Sequence, residues 1–346
     1  MVFVLGVLLV GVLAPQTQWL MFGIGAVPML LLQAGLNMPH FMASYPLLYG
    51  KRERMSKHRF VALYLPCLLF ILCICALLFP GEGTGLANPW VIEFLEVLTY
   101  LLLAWHYTGQ AWGMVCSFAF LGGVQMNNRE RLLIRMGLHV LLVWHVLWVI
   151  WEQLLDPLKK PSIEWVETLR TAVPELFPCV ELLYGIWTYV AMLSLPVGIY
   201  GFVHVYLRTG TSLPLRSVVP WFAIYLWYLL IFLYPGFFPL VQIFHALQYL
   251  AFPLRVEINQ FAERCPDQKH RQVRHTVYYY LVLVGIGLVV WMVPQFTLYI
   301  GDETMAVSAL AAGFINTHHY FIDGVIWKLR NPDVSRALFA HLKSRG

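Results

Sequence analysis

Ten apolar stretches separated by short polar loops run the length of the chain, at about 2–14, 17–49, 60–80, 90–124, 132–154, 176–206, 218–235, 239–261, 276–299 and 304–329. A helix needs about 20 residues to cross hydrocarbon, so the pattern predicts an all-α polytopic membrane bundle with about ten transmembrane segments. No stretch is long and polar enough to fold as a separate soluble body, and residues 1–346 read as one transmembrane domain. The first stretch is short for a span and lacks a basic leader; it reads as an uncleaved anchor or a short first helix. Residues 17–49 and 90–124 are too long to run straight, since each makes about 50 Å of helix against about 30 Å of hydrocarbon. Pro28, Pro39 and Pro46 in the first, and Gly109, Gly113 and Gly122-Gly123 in the second, predict broken helices. Breaks at that depth are tolerated where the freed backbone lines a buried cavity. The loop 155–175 is amphipathic: Ile163, Val166, Leu169 and Val173 recur at helical spacing, which predicts a helix lying in the interface.

Composition agrees with a membrane setting. The 346 residues are 60% hydrophobic and only 12% charged, with a mean hydropathy of +0.68. The net charge of +5 does not signal nucleic-acid binding, because 20 of the 23 Lys and Arg fall in five short loops: 51–59, 129–135, 208–216, 255–274 and 328–346. Every second loop is basic, as the positive-inside rule requires, which predicts an integral protein of the bacterial inner-membrane kind with both termini cytoplasmic. The six cysteines form no zinc-type pair or disulfide framework and read as small buried hydrophobes.

The chemistry lies in five histidines inside the apolar stretches: His40, His106, His245, His318 and His319. His40 lies 11 residues before Lys51, His245 10 before Arg255 and His318 10 before Lys328, about 15 Å from each cytoplasmic charge. His106 follows Trp90 by 16 residues, about 25 Å from the outer boundary on a regular helix. Four separate stretches thus bring imidazoles to a similar depth. Ionisable groups there are costly and mark function, and neutral imidazole is a strong metal ligand, so an intramembrane metal site is expected. His145, 10 residues from Arg135 on a helix of opposite sense, shares the depth and is a further candidate. Gln110 follows His106 by four residues; Gln248 and Tyr249 follow His245 by three and four; Asp323 follows His319 by four. Each pair shares a helix face, so these side chains are placed to orient ligands or border an open position. His318 and His319 point about 100° apart, so one ligates while the other packs or hydrogen-bonds. The alternative for all of these groups is that they hold helices to one another. Imidazoles with few carboxylates and no thiolates suit Fe(II), Zn or Cu. Neither the paired histidine boxes of membrane di-iron enzymes nor a GxGxxG, Walker, nucleophile-elbow or HExxH motif is present.

Four stretches, in order, carry a family resemblance: Met38-Pro39-His40-Phe41, His106-Tyr107, Phe244-His245-Ala246-Leu247-Gln248-Tyr249 and His318-His319-Tyr320-Phe321-Ile322-Asp323. Their layout resembles the Brp/Blh-type beta-carotene 15,15'-dioxygenases, an all-helical membrane family with a Pro-His motif, a His-aromatic motif, a His-x-x-x-His and a late His followed five residues on by Asp. The resemblance implies non-haem Fe(II) held by histidines, activation of O2 and cleavage of a polyene. This chain departs from the family at Tyr249, which stands where the second histidine of the third motif would be. The expectation is therefore an iron-dependent oxygenase with a different lipophilic substrate. Its partners would be the bilayer, an apolar small molecule and O2. His40, His106, His245 and one of His318 and His319 are the expected ligands, with Asp323, Tyr249 and Gln248 assisting. Rival readings are a haem-binding electron-transfer protein with two axial histidines and a proton-coupled transporter.

Overall fold

The computed structural model describes residues 31–80, 87–155, 164–234, 237–296, 303–328 and 332–340, among which there is no strand. In chain order its α-helices are α1 (Met38–Tyr49), α2 (Arg52–Lys57), α3 (Leu65–Leu78), α4 (Pro89–Leu121), α5 (Asn128–Trp148), α6 (Glu164–Ala172), α7 (Leu176–Thr209), α8 (Leu215–Leu233), α9 (Phe238–Arg264), α10 (Gln272–Phe296), α11 (Glu303–Ile326) and α12 (Pro332–Leu338). Wider π-helical turns, Gln33–Asn37 and Phe60–Tyr64, lead into α1 and α3, and a third, Val149–Leu155, continues α5.

Among the described residues, five helical stretches are long and apolar enough to cross a membrane: Phe60–Leu78, Asn128–Trp151, Leu176–Thr209, Leu215–Leu233 and Gln272–Trp291. That is five where about ten were expected. The first expected stretch, 2–14, and the start of the second lie outside the described residues. None of the five carries His40, His106, His245, His318 or His319. Those sit on α1, α4, α9 and α11, whose His, Asp, Gln and Asn residues dilute their hydropathy.

The expected breaks resolve differently in the two long stretches. From Leu31 to Tyr49 the backbone stays helical. A proline in a helix withholds one N–H and crowds the carbonyl four residues back. Pro39 does this to Gly35, the helix widens over Gln33–Asn37, and the Tyr280 hydroxyl donates to the freed Gly35 carbonyl. Pro66 repeats the arrangement. It has no N–H to offer Val61 or Ala62, so His318 Nε2 donates to the Val61 carbonyl at 2.9 Å and the Tyr49 hydroxyl to the Ala62 carbonyl at 2.8 Å. In residues 90–124, by contrast, Gly109 and Gly113 make no break: α4 is continuous for 33 residues through both. A helix-interior glycine costs only about 1 kcal/mol relative to alanine and keeps its N–H, so it removes no hydrogen bond. The chain turns only at Gly122-Gly123, where Gly123 has φ +70°, a conformation glycine adopts without strain.

By its contacts the chain forms two compact units, Met1–Thr99 with Leu229–Gly346, and Tyr100–Tyr228. In the first, α1 packs against α9, α10 and α11, and α11 also packs against α3. Phe41, Met42, Ala43, Tyr249, Leu250, Leu283 and Ile315 make one buried apolar cluster around α1. Gly287 on α10 permits this approach, because a Cβ there would lie 2.8 Å from Met38 Cβ and 3.1 Å from its backbone carbon. Gly287→Val should therefore push α10 off α1 and destabilise the protein by about 1–3 kcal/mol, the usual cost of overpacking. A melting curve in detergent that matches wild type would show that this approach is not tight.

In the second unit α5 and α7 pack along each other. Asn127 caps α5, its side chain accepting from the Glu130 amide while Glu130 reaches back to the Asn127 amide, a capping box that satisfies two otherwise orphaned donors. The same buried Glu130 carboxylate is held by Arg208 at 2.6 and 2.8 Å and by His204 at 3.1 Å. The expected amphipathic helix is α6, and its Val166 packs into a cluster with Leu155 and Phe177. All six cysteines are free, and Cys67, Cys75 and Cys179 are exposed on helix faces rather than buried.

Candidate metal centre

Three helices of the first unit each bring a pair of side chains spaced four residues apart, and so stacked on one helix face, to the same place. These are His40 and Ser44 on α1, His245 and Tyr249 on α9, and His319 and Asp323 on α11. All six are buried. The His40 ring stands edge-to-face at 4.5 Å from His319, 4.6 Å from Tyr249 and 4.9 Å from His245, centroid to centroid. Phe41 closes one flank, 4.9 Å from the His319 ring and 5.8 Å from Trp291.

A polar network crosses this group. Ser44 Oγ lies 2.8 Å from Asp323 Oδ1, 2.8 Å from the Tyr249 hydroxyl and 2.9 Å from His319 Nδ1. The Tyr249 hydroxyl donates to the same Asp323 oxygen at 2.8 Å and accepts from Trp327 Nε1 at 2.9 Å. The other carboxylate oxygen, Oδ2, faces His319 Nε2 at 3.4 Å.

The donor set suits a metal ion. His40, His319 and Asp323 each offer one ligand atom, and these lie within 4.8 Å of one another. Tetrahedral bonds of 2.0–2.2 Å set neighbouring ligand atoms about 3.3–3.6 Å apart, which matches the 3.4 Å between His319 Nε2 and Asp323 Oδ2. Rings packed edge-to-face at 4.5 Å leave no slot for a porphyrin plane between them. The chain therefore carries a buried His and Asp group able to bind metal. No protein-family model, curated protein or solved structure matches it. What the site does must be read from its own atoms.

The expected residues are distributed as follows. His319 faces the group, whereas His318, a quarter-turn away, donates to Val61 and packs among Tyr45, Tyr49 and Phe314. Asp323, expected to orient a ligand, instead offers an oxygen among the ligand atoms. His245 abuts His40 without being one of the grouped ligands. Tyr249 is in the network, while Gln248 is half-buried and its Oε1 has no hydrogen-bond partner among the described residues. His106 lies on α4, buried in the second unit, and its neighbour Gln110 is half-buried. His145, in the same unit, donates through Nε2 to the Tyr100 carbonyl at 2.9 Å and packs on Trp148 and Tyr228.

Other histidines are occupied or exposed. His275 stacks on Phe261 at 4.2 Å and bonds Glu257, His139 and His270 are exposed, and His341 lies outside the described residues. Burial, with the charges of Lys57 and Lys328, holds the His58 imidazole below its ordinary value, so it stays neutral at pH 7.

Ser44 and Trp327 are the participants that sequence reasoning missed. Ser44 stands four residues after His40, the same spacing that singled out Tyr249 and Asp323, and Trp327 stands four after Asp323.

Proposed function

We propose that the chain is an integral membrane non-haem iron oxygenase acting on a lipophilic substrate. Fe(II) would be held by His40, His319 and Asp323. The observation that carries this reading is the ligand set itself. Two imidazoles and one carboxylate form the set associated with non-haem Fe(II) oxygenases. Iron in such a setting supplies activation of O2. The chain's own residues supply the rest: Ser44 and Tyr249 fix the carboxylate, Trp327 fixes Tyr249, and Phe41 and Trp291 keep the surroundings apolar.

The ordered resemblance to the Brp/Blh-type dioxygenases supports the same chemistry. Asp323 takes a ligand's place, while Tyr249 occupies the position of the absent histidine. The substrate would enter from the bilayer and be apolar, as befits a site at membrane depth. We further propose that α4, α9, α11 and the segment ending in α1 lie within the membrane beside the five apolar spans. The alternation of basic loops supports cytoplasmic termini and a bacterial inner membrane.

The experiment is metal analysis with absorption spectroscopy on detergent-purified full-length protein, followed by O2-uptake assays with polyenes and other lipophilic substrates. Stoichiometric iron, no Soret band and substrate-dependent O2 consumption are expected. Protein that binds no metal under iron-replete conditions, or that shows an intense Soret band, overturns the proposal.

A further inference from the structure

We infer that Ser44 is a positioning residue that selects the tautomer of His319, an inference that rests on the metal-site reading above. Ser44 has one proton and three polar neighbours: Asp323 Oδ1, the Tyr249 hydroxyl and His319 Nδ1, at 2.8, 2.8 and 2.9 Å. In the carboxylate form of Asp323 that a metal ion needs, the Asp323 contact is the strongest available to Ser44, because charge-assisted hydrogen bonds are about twice as strong as neutral ones. The proton of Ser44 therefore goes to Asp323. The Tyr249 proton is shared between Asp323 Oδ1 and Ser44 Oγ, with Trp327 donating to the phenol oxygen from behind.

Ser44 Oγ is then left as an acceptor toward His319, and the only matching state of the imidazole carries its proton on Nδ1. The opposite tautomer would put Ser44 Oγ against a bare Nδ1 with no proton between them. It would also have to bond Asp323 Oδ2 through Nε2–H across 3.4 Å, beyond the ordinary range for such a bond.

The consequence lies at Nε2. With Nδ1 protonated, the Nε2 lone pair and Asp323 Oδ2 present two electron pairs to the same point, which is what a cation needs. Ser44 thus binds neither metal nor substrate; it holds both ligands of α11 in their ligating states through one oxygen. Proline chemistry upstream helps it do so, since the widened turn at Gln33–Asn37 sets the rotation with which α1 presents His40 and Ser44 together.

The test compares wild type, Ser44→Ala and Ser44→Thr as full-length protein in detergent. Co(II) affinity is measured by chelator competition. The tautomer of His319 is read from nitrogen-15 histidine spectra of the metal-stripped protein, assigned by loss of the signal in His319→Gln. Wild type should show Nδ1-protonated His319. Ser44→Ala should shift the signal toward the Nε2-protonated form and weaken Co(II) about 10–100-fold, the effect of losing an outer partner of a metal ligand. Ser44→Thr, which keeps the hydroxyl, should restore both readouts, a rescue that a purely packing role would not give. Should the threonine variant not fold, the wild-type and alanine spectra decide by themselves. An Nε2-protonated His319 in wild type, or an unchanged tautomer and affinity in Ser44→Ala, overturns the inference. Wild type that binds no Co(II) but shows the Nδ1 tautomer overturns the metal reading instead.

Discussion

His319→Ala should abolish metal binding, while the adjacent His318→Ala should retain it. His319 contributes one of the converging ligand atoms, and its removal takes away an imidazole that no neighbouring side chain replaces at that spot. The loss in affinity should exceed the roughly 100-fold that outer-partner changes produce. His318 does different work: its Nε2 satisfies the Val61 carbonyl. Alanine there leaves a buried acceptor without its donor, at about 1–3 kcal/mol. It should lower the melting temperature with metal content intact. His40→Ala should behave as His319→Ala does, and His270→Ala, at an exposed loop position, should change neither quantity. Metal content measured across these variants separates the roles, and equal loading in His319→Ala and His318→Ala would dismantle the ligand assignment.

Asp323→Asn should abolish metal binding with little loss of stability. The amide oxygen of asparagine can still accept from Ser44 and Tyr249, as Oδ1 does now. Its nitrogen, though, would replace Oδ2 opposite His319 Nε2, putting a donor where a ligand was. Asp323→Ala differs, because both hydroxyl protons then lose a buried acceptor, at about 1–3 kcal/mol each. The pair of variants therefore splits structure from chemistry. Melting temperature should fall for alanine and hold for asparagine, and O2 consumption should vanish in both. Substantial metal retention by the asparagine protein would show that Asp323 serves the network alone.

Much of the site could be read in the sequence, because depth in a membrane helix is a linear function of residue count. Counting from the basic loops put His40, His245 and His318 at one level, with His319 next to the last, and helical spacing put Tyr249 and Asp323 beside them. Rotation around each helix was less legible. Which of His318 and His319 faces inward depends on the widened turn at Phe60–Tyr64, whose freed carbonyl claims His318. Ser44 escaped notice because a serine has no electrostatic cost at depth, unlike a histidine. The predicted break in α4 failed for a local reason: glycine lowers helix propensity without removing an N–H, and Gly109 and Gly113 stay helical. The apolar pattern found the five candidate spans best where it was least diluted, on the helices that carry none of the grouped ligand residues of the first unit.

The carbonyl that Pro39 leaves on Gly35 is taken by Tyr280, 245 residues further along the chain. An unanswered carbonyl in hydrocarbon costs several kcal/mol. During synthesis, the segment that bears His40 therefore emerges long before its tyrosine partner exists. It can settle only when α10 arrives, so the earliest-made wall of the metal centre is among the last to become rigid.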